Sequence, residues 1–313
     1  MSKIVWHYTK MGNLEKIFPP KESKEYNEGK ITLRFTSYKF LNDPSEGLIL
    51  KKFFETNKDS ILKGFPLDFK KKQFENKIQL NIFSYVFSAT YLKDSFAFWN
   101  KEYAGWNGVS IGIRWHKPFF MNKNSSDSII PSDVIYVDPY LNLKPSYNLI
   151  KKTAECLNFC YHELFPIIKN EILDHAETPM SKNYGAFDIF ITVFSNMYKH
   201  KSWEYEKEVR LITGGNSFES SKIEFNDNKI KKFGYKTFDK KIVPWITLGP
   251  ACNNEDVKAV MEYLRSNGYD DIQVSRSNAL DLKKTELERL LNDLIPPSIT
   301  VNDNTILQEM FNP

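Results

Sequence analysis

The chain has 313 residues, of which 41% are hydrophobic and 15% aromatic, and it carries a net charge of +4. This composition is sufficient for a sizeable core in one large or two ordinary domains. Its three cysteines exclude a disulfide framework, and no apolar run approaches the roughly 20 residues of a membrane span. The apolar run at the N-terminus is too short for a signal peptide, so we expect a soluble cytoplasmic protein.

Alternating apolar and polar residues predict most of the strands. In chain order these cover residues 3–9, 30–36, 81–90, 108–115, 134–137, 201–212, 242–248 and 272–275, with a polar hairpin at 222–238. Helical spacing predicts helices at 48–63, 67–78, 95–103, 148–174, 186–200, 254–267 and 283–294. Strands at both ends enclose a helical middle. We therefore expect one α+β domain over 1–280 with a helical insertion at about 148–200, and a C-terminal helix and tail at 281–313.

The segment 201–212, KSWEYEKEVRLI, alternates as a strand does, and it carries an unusual polar face. That predicted face holds Glu204, Glu206, Glu208 and Arg210. One interpretation is a solvated edge strand on which Arg210 neutralises Glu208, because edge strands often carry charges. The other is a site in which one carboxylate meets a cation or a cationic transition state. The pattern alone leaves both open.

Two further polar groups lie on or after predicted strands. His7, at the end of the first strand, is suited either to contact a ribose or to sit as a hydrogen-bonded core imidazole. Arg34 precedes the turn that contains Asn42 and Asp43. An arginine can clamp a diphosphate with two hydrogen bonds, or it can pair with an acidic residue such as Asp43 or Glu46 to hold the loop.

Aromatic residues precede the glycine-containing strand at 108–115. Trp99 and Tyr103 are suited to stack on a planar ring or to pack in the core. The nearest approach to a metal site is the group Cys156, Cys160 and His162, but zinc needs a fourth ligand and this spacing is also that of a core helix. We therefore expect no metal. No phosphate-binding P-loop, dinucleotide glycine fingerprint, nucleophile elbow or metalloprotease motif occurs.

Several short motifs follow one another over residues 4–276. They are WHYT, LRF followed by NDP-x-EG, FW-x3-YA-x3-GVSIGI, K-x-WEYE-x-EVRLI, LGP and VSRS. This ordered set resembles a bacterial family labelled domain of unknown function 2971. That family in turn resembles, distantly, the ADP-ribosyltransferase superfamily, whose split sheet grips NAD.

The resemblance implies an α+β fold with a split mixed or antiparallel sheet, and an enzyme that consumes NAD as its substrate without a metal ion. Such an enzyme transfers ADP-ribose to a protein or nucleic-acid acceptor, or to water as an NAD glycohydrolase. The implied biological role is that of a bacterial toxin or anti-phage defence effector. The alternatives are a non-catalytic protein, in which the same residues are structural, and a nucleic-acid-binding protein.

The resemblance also implies roles for individual residues. His7 and Tyr8 contact the dinucleotide, and Tyr103 or Trp99 packs on the nicotinamide. Glu208, with Glu206 as its neighbour, stabilises the ribose cation that forms when nicotinamide leaves. The remaining cofactor-binding residues are Arg34, Asn42 and Asp43 near the phosphates, and Arg210. We expect four groups to line one cleft: His7, Arg34, one aromatic (Trp99 or Tyr103) and one carboxylate (Glu206 or Glu208).

Overall fold

The computed structural model describes residues 3–37, 40–41, 49, 84–100, 103–115, 129–137, 196–214, 222–226 and 229–279. The strands are β1 (Lys3–Thr9), β2 (Lys30–Ser37), β3 (Ser84–Thr90), β4 (Val109–Trp115), β5 (Ile130–Asp133), β6 (Ile135–Val137), β7 (Tyr198–His200), β8 (Glu208–Gly214), β9 (Lys222–Asn226), β10 (Lys229–Asp239), β11 (Trp245–Leu248) and β12 (Gln273–Arg276). The helices are α1 (Leu14–Ile17) and α2 (Asn254–Ser266), with 3₁₀ turns at Met11–Asn13, Phe96–Trp99, Lys201–Glu206 and Lys240–Ile242. Over the ranges just given, a large sheet accompanied by two helices confirms the α+β class.

Ten of these strands form one mixed sheet. Its order is β12-β11-β4-β1-β3-β2-β10-β9, with β8 paired to β3 and β5 paired to β8. All of its pairs are antiparallel except β11 with β12. Strands β6 and β7 form a separate parallel pair. No described helix is long and apolar enough to cross a membrane.

Strand β3 has one continuous edge and one divided edge. Along the continuous edge it pairs with β8 over its whole length. On the other edge, β1 meets β3 only at Thr90, and β2 meets it only at Val86 and Tyr85. Ser88 lies between these two pairings, so β1 and β2 diverge from β3 on either side of it. The sheet is therefore split at this point.

The alternation of β2 places a polar face beside the split. Ile31, Leu33 and Phe35 are fully buried. Burial of each of these side chains stabilises the folded state by about 1.5–3 kcal/mol. Thr32 and Arg34, on alternate positions, are only half-buried. Burial of the apolar positions thus fixes the direction in which Arg34 points.

The predicted strand at 201–212 is wrong in its first half. Lys201–Glu206 forms a 3₁₀ helix, because the His200 ring accepts a hydrogen bond from the Ser202 N–H and caps its first turn. Lys207 then adopts a left-handed conformation (φ 45°), and its N–H bonds to the Glu204 carbonyl. Only from Glu208 onward is the segment a strand. Glu204 therefore does not share a strand face with Glu208.

Two predicted helices also differ from the structure. Tyr198–His200, expected at the end of a helix, forms β7, because it pairs with Ile135–Val137 in β6. The predicted helix at 95–103 is one 3₁₀ turn at Phe96–Trp99. By contrast, α2 agrees with its prediction and begins with a capping box between Asn253 and Asp256.

Several predictions lie outside the described residues. They are the helices at 48–63 (apart from Ile49) and 67–78, the helical insertion over 148–195, the group Cys156, Cys160 and His162, and the C-terminal helix and tail at 281–313.

A close backbone contact at Gly249 gives a stability prediction. Its N–H donates to the Gly108 carbonyl at 2.8 Å, and a β-carbon added to Gly249 would lie 2.2 Å from the Trp106 carbonyl oxygen. Relief of this contact requires a shift of the backbone, which is energetically costly. We therefore expect Gly249→Ala to lower the free energy of unfolding, measured in urea, by about 2 kcal/mol or more. Gly12→Ala is the control, since an added β-carbon there meets nothing within 4 Å. Equal stability of the two variants would contradict this packing.

Candidate active site

A cavity of about 790 Å³ lies at the divided edge of the sheet, which is within the size range of small-molecule sites. Residues of β1, β2, β3, β8 and β10 line it, together with parts of α1 and the turn at Lys201–Glu206. Among the predicted site residues, the structure places on its wall His7, Tyr8, Arg34, Tyr103, Glu206, Glu208 and Arg210. Asn42 and Asp43 lie outside the described residues.

Trp99 is not on the cavity wall. Its side chain is fully buried, and its indole N–H donates to the Asp94 carboxylate at 2.8 Å. The edge of its ring packs against Tyr8, with 4.9 Å between centroids. Trp99 therefore supports Tyr8 from the core, and of the two aromatic candidates only Tyr103 lines the cavity.

His7 lines the cavity as a neutral imidazole. Its Nδ1 lies 2.8 Å from the Ser88 carbonyl oxygen, and since a carbonyl only accepts, Nδ1 carries the hydrogen. Burial lowers the pKa of His7 to about 4; the bond to Ser88 opposes this and the charge of Arg34 adds to it. The ring is thus neutral at pH 7, with its lone pair on Nε2.

Glu208 and Arg210 form a bidentate pair at one end of the cavity. Arg210 Nε donates to Glu208 Oε1 at 2.8 Å, and Nη2 donates to Oε2 at 2.9 Å. Lys199 Nζ adds a bond to Oε2 at 3.1 Å. Burial opposes ionisation of Glu208, but Arg210 and Lys199 outweigh it and hold the pKa of the carboxyl well below its usual range. The expected pairing of Arg210 with Glu208 is therefore present, but the expected solvated edge strand is wrong, because β8 pairs with both β3 and β5 and both side chains are buried.

Glu206 is held in a different way from Glu208. Lys199 Nζ donates to its Oε2 at 2.6 Å, and the Tyr103 hydroxyl donates to its Oε1 at 2.5 Å. A carboxylate offers about four acceptor positions. Three donor contacts reach Glu208, two from Arg210 and one from Lys199, whereas two reach Glu206. Among the described residues, Glu206 retains acceptor capacity for a ligand.

Tyr103 acts through its hydroxyl as well as its ring. The ring packs edge-on against Phe98 at 4.9 Å between centroids, and the hydroxyl reaches Glu206. Burial, followed by the hydrogen bond to Glu206, raises the pKa of Tyr103, so the hydroxyl keeps its proton and remains a donor. This geometry makes Tyr103 a residue that orients Glu206.

Lys199 is the site residue that the sequence analysis missed. Its Nζ bonds both Glu206 and Glu208 and lies 4.8 Å from the centroid of the Trp203 ring. With Arg210 it completes a buried cluster of two carboxylates and two cations, each at most 6% exposed. No signal in the sequence identifies it, because a single lysine near the end of a predicted helix carries no motif.

The cluster predicts that Glu208 is needed for stability. Glu208→Gln would leave Arg210 and Lys199 buried with one carboxylate between them, and breaking a buried ion pair costs about 3–5 kcal/mol. Glu204→Gln is the matched control, since its side chain is 48% exposed and its ion pair with Lys207 is long, at 3.6 Å. We expect urea unfolding to show a large loss for the first variant and almost none for the second. Equal losses would contradict the cluster.

The pKa of His7 predicts a pH dependence of folding. In the folded state the pKa is about 4, against an ordinary value of 6.5, so the unfolded chain takes up a proton first as the pH falls. The stability that neutral His7 contributes is complete above pH 6.5 and is lost toward pH 4, by at most roughly 3 kcal/mol. We expect His7→Gln to lose less stability than the wild type across this interval. Parallel losses, measured by urea unfolding, would contradict the shift.

Comparison with known proteins gives one family match. Residues 98–211 match the sequence model of the family described as Protein of unknown function (DUF2971). The matched segment holds Tyr103, Lys199, Glu206, Glu208 and Arg210, but covers less than half of the chain. No curated protein and no solved structure matches the chain. The match supports the resemblance to this family of unknown function.

Proposed function

We propose that this chain is an NAD-consuming enzyme that cleaves the bond between nicotinamide and ribose, as ADP-ribosyltransferases do. The observation that carries the proposal is Glu206, a buried carboxylate on the cavity wall that two donors orient and that keeps acceptor capacity. The divided sheet edge and the cavity volume are compatible with a dinucleotide. The distant resemblance of the ordered motifs to ADP-ribosyltransferases supplies the reaction class.

The chemistry requires a carboxylate beside the reacting ribose. The bond between ribose C1′ and the nicotinamide nitrogen breaks, and its electron pair stays on the nitrogen, so nicotinamide leaves neutral. The ribose becomes an oxocarbenium-like cation, which a fixed carboxylate stabilises. A hydroxyl of the acceptor, or water, then forms the new bond to C1′ and loses its proton.

We assign the cation-stabilising role to Glu206 in preference to Glu208. Arg210 binds both oxygens of Glu208 and Lys199 binds one of them, so three donors contact this carboxylate and compensate its charge. Glu206 has one donor on each oxygen, which fixes the orientation of the carboxylate and leaves some of its acceptor positions for a ligand. His7 Nε2 is suited to accept a hydrogen bond from a ribose hydroxyl, which positions the sugar.

The acceptor and the biological role follow from the resemblance. The acceptor is a protein group, a nucleic acid or water. Loss of cytoplasmic NAD would act on the bacterial cell as a toxin or an anti-phage effector does.

One observation favours a second candidate. The bidentate pair of Arg210 with Glu208 is what a non-catalytic protein would use to hold β8 against Asn196, whose carbonyl accepts from Arg210 at 2.8 Å. In that case the cluster only stabilises the fold, and nicotinamide is not released.

The deciding experiment measures nicotinamide release from NAD. We expect Glu206→Gln to lower the rate about 100- to 1,000-fold, because loss of one positioned electrostatic group costs that much. Tyr103→Phe, which removes only the hydroxyl, should lower it by less. Glu204→Gln serves as the control at a nearby exposed carboxylate and should keep the wild-type rate.

Each result separates the two candidates. Circular dichroism at the assay temperature must show that each variant is folded. If Glu206→Gln retains the wild-type rate, the carboxylate assignment is wrong. If the wild type releases no nicotinamide and binds no NAD, the non-catalytic candidate replaces the enzyme.

A further inference from the structure

The charged residues of the cavity wall are sorted into two groups. Four of them form the buried cluster at one end, in which two carboxylates balance two cations. Within the described ranges, the other charged lining residues are the cations Lys10, Lys16 and Arg34. Because His7 is neutral, it does not alter this sum. Of the wall that the structure describes, one end thus holds two carboxylates with two cations, and the charged side chains of the remainder are cations.

The three cations belong to one corner of the fold. Lys10 follows the last residue of β1, Lys16 lies in α1, and Arg34 lies on the half-buried face of β2. Helix α1 packs against β2, which brings these elements together. The balanced cluster comes from different elements, namely β7, the turn at Lys201–Glu206 and β8. We call Lys10, Lys16 and Arg34 the cationic corner.

Arg34 is a fixed part of this corner. The central carbon of its guanidinium group lies 4.2 Å from the centroid of the Phe233 ring, and both residues line the cavity. Stacking on an aromatic ring fixes the plane of a guanidinium group against the wall. Lys10 and Lys16 are exposed, so their ammonium groups are accessible to an anion that arrives from solvent.

We propose that the cationic corner binds the diphosphate of a nucleotide, with Lys10 and Lys16 as phosphate-binding residues. A diphosphate bridge carries two negative charges, which the exposed ammonium groups of Lys10 and Lys16 match, whereas the two carboxylates and two cations of the buried cluster pair with one another. The orientation of the bound nucleotide rests on the proposed function. In that orientation the phosphates lie at the cationic corner, and the ribose that loses nicotinamide lies at Glu206. Diphosphate binding itself does not depend on catalysis.

Calorimetry with ADP tests the proposal on the full chain. We expect the wild type to bind ADP and Lys10→Ala/Lys16→Ala to bind it about tenfold more weakly or worse, because two close charge contacts are lost. The matched control is Lys241→Ala/Lys258→Ala, which removes two exposed lysines that do not line the cavity. This control should bind ADP within about twofold of the wild type, since long-range charge effects are screened by salt.

Inorganic pyrophosphate is the second probe. If the corner binds a nucleotide through its diphosphate, we expect pyrophosphate to bind the wild type more weakly than ADP does. Its affinity should fall in Lys10→Ala/Lys16→Ala by the same factor as that of ADP. The absence of ADP binding, or equal ADP affinity in both double variants, would overturn the proposal. Binding of single-stranded RNA without binding of ADP would overturn it as well.

The outcomes separate this proposal from the proposed reaction. If the lysines control ADP affinity but the wild type releases no nicotinamide, the corner stands and the reaction fails. If nicotinamide is released and Lys10→Ala/Lys16→Ala leaves KM for NAD unchanged, the reaction stands and the corner fails.

Discussion

The burial of two carboxylates and two cations in one cluster constrains the structure around the cavity. Lys199, Glu206, Glu208 and Arg210 come from β7, a 3₁₀ turn and β8, and removal of any one leaves an uncompensated buried charge. Their hydrogen bonds therefore hold these elements at fixed positions. The same bonds orient Glu206 before any ligand arrives, which is the condition under which a carboxylate stabilises a developing cation most effectively.

The divided edge of β3 joins this cluster to the rest of the cavity. Ser88 has no strand partner in β1 or β2, and its carbonyl accepts from the His7 ring instead. One strand thus carries the His7 contact on one edge and pairs with the Glu208 strand on the other. The split that opens the cavity also brings together groups about 200 residues apart in the sequence. Arg34 lies on β2, one of the strands that diverge, Lys10 follows the other, and Lys16 lies in α1, which packs against β2. The cationic corner and the buried cluster therefore come from different elements of the fold.

Local patterns in the sequence carried the predictions that succeeded. The alternation of β2 was sufficient to place Arg34 on a polar face, and helical spacing of apolar residues predicted α2. The strand prediction around Glu206 was wrong because a 3₁₀ turn that ends at the left-handed residue Lys207 occupies this segment. Such a turn depends on local hydrogen bonds and leaves no mark on the spacing of hydrophobic residues. Lys199 could not be found because the pairing of β7 with β6 decides where it points. Residue types led to the prediction of Glu206 and Glu208 as a pair, and only the tertiary contacts distinguish the two.

The most direct test is a crystal structure of the Glu206→Gln variant with NAD at saturating concentration. The account predicts NAD in the cavity, with the nicotinamide ribose beside residue 206, His7 Nε2 at hydrogen-bond distance from a ribose hydroxyl, and the diphosphate at Lys10, Lys16 and Arg34. An NAD molecule bound elsewhere, bound in the reverse direction or absent from the cavity would contradict it.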